Sequence, residues 1–178
     1  QIREHLDFYS VEELTEIIRR NAKKLAIEID DESCREIAER SRSTPRIANN
    51  RLRCVRDYAV SRADGVISLK VARDALVTWD IDTLGLDKQD RRYLETLLRV
   101  FAGGPAGIEA LSHTMNVPTD TLVDEVEPFL LRTELVIRTP RGRMATNLAA
   151  EHVGIPLENE AESDSQGKFF KPPGETEK

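Results

Sequence analysis

These 178 residues contain no glycine-rich GxxxxGK[ST] loop and no acidic strand of the kind that holds magnesium. The chain therefore cannot cradle and hydrolyse a nucleotide by itself. Cysteine is scarce, and Cys34 and Cys54 have neither metal-ligand spacing nor a disulfide framework. They read as buried free thiols, which fits a cytoplasmic setting. His5, His113 and His152 are isolated, and no Ser-His-Asp or Cys-His set can be built on their spacing. No apolar run is long enough to cross a membrane, and no signal-peptide pattern opens the chain. A basic segment is missing too. Residues 1–80 carry 15 basic and 15 acidic side chains, residues 81–153 carry 8 and 11, and residues 154–178 carry 3 and 6. Any nucleic-acid contact must come from a local patch. The chain begins with Gln1 rather than Met, as expected of a piece of a longer protein.

What is present is helix. Ser10 with Glu13 makes a capping box, and Leu14, Ile17, Ile18, Ala22 and Leu25 then recur at helical spacing. A second helix is expected from Asp31 to Arg42, burying Ile37 and Ala38. A third, spanning 43–63, opens at Ser43-Thr44-Pro45-Arg46 and buries Ile47, Ala48, Leu52, Val55 and Ala59. Arg51 falls on that same apolar stripe, a local conflict. Ser68 caps a fourth helix through Trp79, and the four make a small bundle. Ile81 to Leu86, turn-prone around Gly85, reads as a linker.

The pattern then changes. Helices are expected over Asp87–Phe101, Ile108–Met115, and from a Thr119 or Asp120 cap to about Arg132. The first buries Leu94, Leu97, Leu98 and Phe101. Strand-like Leu135-Val136-Ile137 and Met144-Ala145-Thr146 flank a tight turn, Thr139-Pro140-Arg141-Gly142-Arg143. Three helices followed by a hairpin is the winged-helix order. Residues 156–178 are acidic, poor in apolar periodicity, and expected to be a disordered tail.

Two places can carry chemistry. Thr44 suits an N-cap and Pro45 the first helical position, which puts Arg46 in the first turn. An arginine beside the free N–H groups of a helix start makes an anion site, with phosphate the common occupant. In the second half, the helix that would read a major groove carries Asp120, Asp124, Glu125 and Glu127. Phosphates would repel those carboxylates, so base reading through it is not expected. Arg138, Arg141 and Arg143 crowd the hairpin instead, and favour backbone binding without base readout.

Three ordered stretches carry a family likeness. They are Phe8-Tyr9-Ser10-Val11-Glu12-Glu13-Leu14, Arg40-Ser41-Arg42-Ser43-Thr44-Pro45-Arg46-Ile47-Ala48-Asn49 and Val55-Arg56-Asp57-Tyr58-Ala59. With Gly103-Gly104-Pro105, Glu127-Pro128-Phe129-Leu130 and Arg138–Thr146, the chain closely resembles the RuvB family over residues 3 to 154. That family comprises bacterial Holliday-junction branch-migration motors. The resemblance implies a mainly α chain: a four-helix AAA+ lid domain over 1–82, then a winged-helix DNA-binding domain over 83–155. It implies that an ATPase domain, holding ATP with its magnesium, precedes Gln1. Arg46 matches the sensor-2 arginine that reaches the γ-phosphate, Tyr9 the aromatic residue near the adenine, and Pro45 lies beside the same pocket. Arg141 and Arg143 match the wing that touches duplex DNA at Holliday junctions. The implied partners are a RuvA-like junction-binding tetramer and a homo-hexamer of the intact subunit, with no membrane. Asn50 and Arg51 depart from the family pattern, which usually has a basic residue followed by Leu. The alternative reading is a stand-alone winged-helix module for protein docking or transcriptional regulation.

Overall fold

A computed structural model of the chain describes residues 8–157. The tail expected over 156–178 lies outside them beyond Leu157. The chain divides into two units, Gln1–Gln89 and Asp90–Lys178.

The first unit is a helical bundle. Helix α1 (Val11–Lys24) starts on a complete capping box. The Glu13 N–H donates to Ser10 Oγ at 3.1 Å, and the Ser10 N–H donates to Glu13 Oε2 at 2.8 Å. Such a box is worth about 1 kcal/mol. Helix α2 (Asp31–Glu39) is capped by Asp30, which accepts the Ser33 N–H at 2.7 Å. It ends at Glu39 with Arg40 at the cap, and it could not have reached beyond Ser41, because Arg42 and Ser43 both take left-handed backbone, with φ of 52° and 53°. A right-handed helix cannot run through them. Helices α3 (Pro45–Arg62) and α4 (Leu69–Thr78) follow, the latter capped by Ser68 as its sequence indicates. Leu14, Ile18, Ile37, Leu52, Val55, Ala59, Ile67 and Leu76 meet in the core, while Ile47 stays half-buried. A short parallel pairing of β1 (Glu28–Ile29) with β2 (Val66–Ile67) closes the bundle.

The Arg51 conflict is resolved by a carbonyl. Its guanidinium is buried, and Nη2 donates to the Gly85 oxygen at 3.0 Å. An apolar stripe accepts a cation here because the chain following α4 returns to meet it. The expected linker is thus a folded segment.

In the second unit, α5 (Lys88–Arg99) buries Tyr93, Leu94, Leu97 and Leu98, and α6 (Ile108–Met115) coincides with the sequence expectation. Phe101 is half-buried rather than buried. The third helix departs from expectation. Neither Thr119 nor Asp120 caps it; Pro118 sits at the cap position with no side-chain bond. It also runs in three pieces: α7 (Thr119–Thr121), a widened π-type turn (Leu122–Val126), and α8 (Glu127–Arg132). Pro128, near the start of α8, has no N–H to donate and a ring that crowds the preceding turn. A widened turn absorbs both defects.

Strands β3 (Val136–Thr139) and β4 (Gly142–Ala145) pair antiparallel, with Thr139 opposite Gly142. The turn is therefore two residues, Pro140-Arg141, tighter than the five expected. Gly142 serves a close approach as well as the turn. A Cβ there would lie 2.5 Å from the Ala106 oxygen. Its absence lets Ala106 bond both ways with Arg143, at 2.9 and 2.8 Å. Thr146, expected to end a strand, instead caps a further helix, α9 (Asn147–Val153).

Candidate functional site

The start of α3 holds the first set of candidates. Pro45 occupies the first helical position and is half-buried, and Arg46 follows it into solvent. Thr44 takes the cap position, but its hydroxyl is turned away. It donates to the Arg42 oxygen at 3.0 Å, because the left-handed pair Arg42-Ser43 brings that oxygen within reach. No side chain caps the helix and no carboxylate lies in its first turn. The start of α3 therefore offers uncapped N–H groups and an exposed guanidinium together, an arrangement suited to a phosphate group. Tyr9, just before the α1 cap, is exposed. Among the described residues, no hydrogen bond or ring contact joins Tyr9 to Pro45 or Arg46; Asn21 of α1 and Asn49 of α3 bond directly, Nδ2 to Oδ1 at 2.5 Å.

The wing arginines separate into two kinds. Arg138 and Arg143 stand opposite each other across β3 and β4, and both turn to Glu127. Arg143 Nε donates to Glu127 Oε1 at 2.8 Å and its Nη2 to Oε2 at 3.3 Å. Arg138 Nε donates to Oε2 at 3.0 Å, and its Nη2 bonds the same oxygen. Tyr93 completes the set, its hydroxyl donating to Oε1 at 2.8 Å. Glu127 is 0% exposed, so it is not one of the surface carboxylates that the sequence pattern suggested. Asp120, Asp124 and Glu125 are exposed. Burial by itself would raise the Glu127 carboxyl, but the bonds from Arg143, Arg138 and Tyr93 outweigh it and hold the group below the usual carboxylate range. Burial, reinforced by the neighbouring carboxylate, pushes the Tyr93 phenol up. The cluster keeps one net positive charge, and the Arg138 side chain remains 48% exposed against 18% for Arg143. Arg141, at the turn, is exposed and has no acidic partner among the described residues.

Sequence reasoning missed Tyr93 and the burial of Glu127. The signal was available: Tyr93 lies on the stripe of Leu94 and Leu97, and Glu127 lies beside Val126 and three residues before Leu130. A carboxylate on a buried stripe requires cations, and the hairpin supplies two.

A four-helix bundle followed by three helices and a hairpin defines the class: a lid-type helical domain joined to a winged helix. Family models agree in detail. The RuvB AAA lid domain matches residues 9–82, and the RuvB C-terminal winged helix domain matches residues 83–154. The chain belongs to the RuvB family. It is 63% identical over 153 residues to the Holliday junction branch migration complex subunit RuvB of Rhodopirellula baltica, covering 86% of this chain and 42% of that protein. The corresponding subunit of Nocardia farcinica is 52% identical over 151 residues, covering 85% and 42%. The solved Thermotoga maritima RuvB Holliday junction branch migration motor superposes with a TM-score of 0.80 at 42% identity, over 85% of this chain and 51% of that one. The chain thus spans less than half the length of these curated relatives.

Proposed function

We propose that this chain is the lid and winged-helix part of an ATP-driven hexameric translocase that migrates Holliday junctions in recombination and repair. In this reading ATP and its magnesium are held mainly by an ATPase domain outside the chain, and a RuvA-like tetramer presents the junction. The observation that carries the reading is the start of α3, where Arg46 is exposed on a helix end with no side-chain cap. ATP supplies the phosphoanhydride whose cleavage powers movement. Arg46 supplies a guanidinium for its terminal phosphate, and Pro45 and Tyr9 supply apolar surface for the rest of the nucleotide. The lid then responds to the nucleotide through α3.

The winged helix holds duplex through phosphates, with Arg141 foremost and Arg138 and Arg143 behind it. The exposed carboxylates Asp120, Asp124 and Glu125 argue against reading bases. A motor that steps along any sequence requires such indifference. The same acidic face is what favours the competing reading, a stand-alone docking module. In the genomic reading frame upstream of Gln1, a GxxxxGK[ST] loop supports the motor, and a start codon there with no such loop supports the module. In the complete subunit, Arg46→Ala should cut ATP turnover roughly ten- to hundredfold, as expected for losing hydrogen bonds from a charged donor, with duplex binding retained. Unchanged turnover would refute the sensing role.

A further inference from the structure

The segment between α4 and α5 is built as a closed loop with a handle. The Asp82 carboxylate accepts the N–H groups of Leu84 and Leu86 at 3.0 and 2.8 Å. Backbone bonds from Asp82 N–H to the Leu86 oxygen and from Gly85 N–H to the Asp82 oxygen, both 3.0 Å, close it. Four consecutive contacts to the α2–α3 region then fix it. Arg40 Nη1 donates to the Ile81 oxygen at 3.3 Å, and Arg42 Nε and Arg51 Nη2 both donate to the Gly85 oxygen, at 2.9 and 3.0 Å. Arg42 Nη2 also pairs with Asp87 at 3.1 Å. Gly85 is obligatory in this seat. Its φ is +81°, and a Cβ would stand 2.6 Å from the Arg40 oxygen. The division of the chain accordingly falls at Gln89, beyond the lid boundary at residue 82 given by the family model.

We infer that Arg42 and Arg51 are positioning residues that make residues 81–87 a rigid arm of the lid, so that movement sensed at Arg46 reaches the start of α5 without slack. The inference rests on the motor reading for its function, though not for its geometry. Arg46 and Arg51 share α3, and Arg42 shares the left-handed loop that turns the Thr44 hydroxyl away from the α3 start. One short stretch therefore bears both the candidate phosphate contact and the clasp. Two guanidinium donors on a single carbonyl oxygen, delivered from different elements, resist displacement in more than one direction.

The test has two arms. On the present chain, backbone NMR alignment in a weakly ordering medium should fit amides 82–86 to the same tensor as α1–α4. Arg51→Leu, which places an apolar residue on an apolar stripe, and Gly85→Ala, which lifts the seat, should each speed exchange of the Leu84, Gly85 and Leu86 amides about tenfold or more, the loss expected for a charged hydrogen bond. Core amides such as Ile18 and Ala59 should stay protected. Independent alignment of 82–86, or unchanged exchange in both variants, overturns the rigid arm. In the complete subunit the same variants should retain ATP turnover while base pairs migrated per ATP fall severalfold. Turnover and migration falling together, or neither falling, overturns the coupling role, whichever way the Arg46 experiment turns out.

Discussion

Replacing Glu127 by glutamine tests the wing's foundation. The substitution keeps the shape and an acceptor for Tyr93 but removes the charge that two guanidinium groups share. Removing one partner of a buried ion pair costs about 3–5 kcal/mol when the other is stranded. Arg138 is half-exposed and can turn to water, whereas Arg143, at 18% exposure, is less free. The expected cost is therefore about 2–3 kcal/mol. Native-state hydrogen exchange reads it by unit: amides such as Leu97 and Leu130 should exchange roughly 30- to 150-fold faster in the Glu127→Gln variant. Ile18 and Ala59, in the other unit, should not change. The pH dependence supplies the sign. Because the folded carboxyl is held below its ordinary range, its contribution is fully present above about pH 4.3 and is lost as pH falls through the lower folded value. The parent should lose more stability between pH 5 and pH 3 than the variant. Exchange rates that match the parent's within about threefold, with the same acid response, would refute the view that this cluster anchors the hairpin.

Arg141→Ala should weaken duplex binding and lower the salt slope by about one, with unfolding unchanged, whereas Arg143→Ala should act first on stability. Equal effects of both on unfolding would contradict the division of the arginines. Ser43→Gly removes a left-handed penalty of about 1–2 kcal/mol, offset by roughly 0.5–1 kcal/mol of glycine chain entropy, and so should raise the urea midpoint slightly. A lower midpoint would show that the serine side chain matters more than its backbone. Cys34, buried and with its thiol pushed up to about 11 chiefly by burial, should resist alkylation at pH 8 until the chain is unfolded. Prompt labelling of native protein at that residue would contradict its placement in the core.

Helices with strong local signals were legible from sequence. The Ser10-Glu13 box and the Ser68 cap are decided within a few residues of themselves. What escaped depends on distant partners. The failure of α2 to reach Arg42 goes with left-handed backbone at Arg42 and Ser43, two non-glycine residues, which composition does not announce. The segment 81–86 looks like a linker because its own residues are turn-formers; it is fixed by guanidinium groups from elsewhere. The interrupted third helix was foreshadowed by Pro128, whose effect falls on the turn before it. The exposure of the two candidate phosphate contacts has a different origin. Arg46 and Arg141 are exposed, so no tertiary partner decides their place.

The same division of labour occurs in both units, and it bears on how arginine-rich stretches are read. In the first unit, Arg42 and Arg51 converge on one oxygen, while Arg46, between them in sequence, is left in solvent. In the second, Arg138 and Arg143 converge on Glu127, while Arg141, between them in sequence, is left in solvent. A cluster of like charges is costly unless most of its members are neutralised or bonded, so the outer arginines hold the backbone that presents the middle one. Lysine cannot substitute on the outside, because a single ammonium lacks the forked donors that reach two acceptors at once, as Arg143 and Arg42 do. It can substitute in the middle if the anion requires only charge. Arg141→Lys should therefore retain most duplex affinity, and Arg143→Lys should lose stability much as Arg143→Ala does. Equal tolerance of lysine at both positions, measured by salt-dependent duplex binding and thermal unfolding together, would show that the outer arginines act through charge alone.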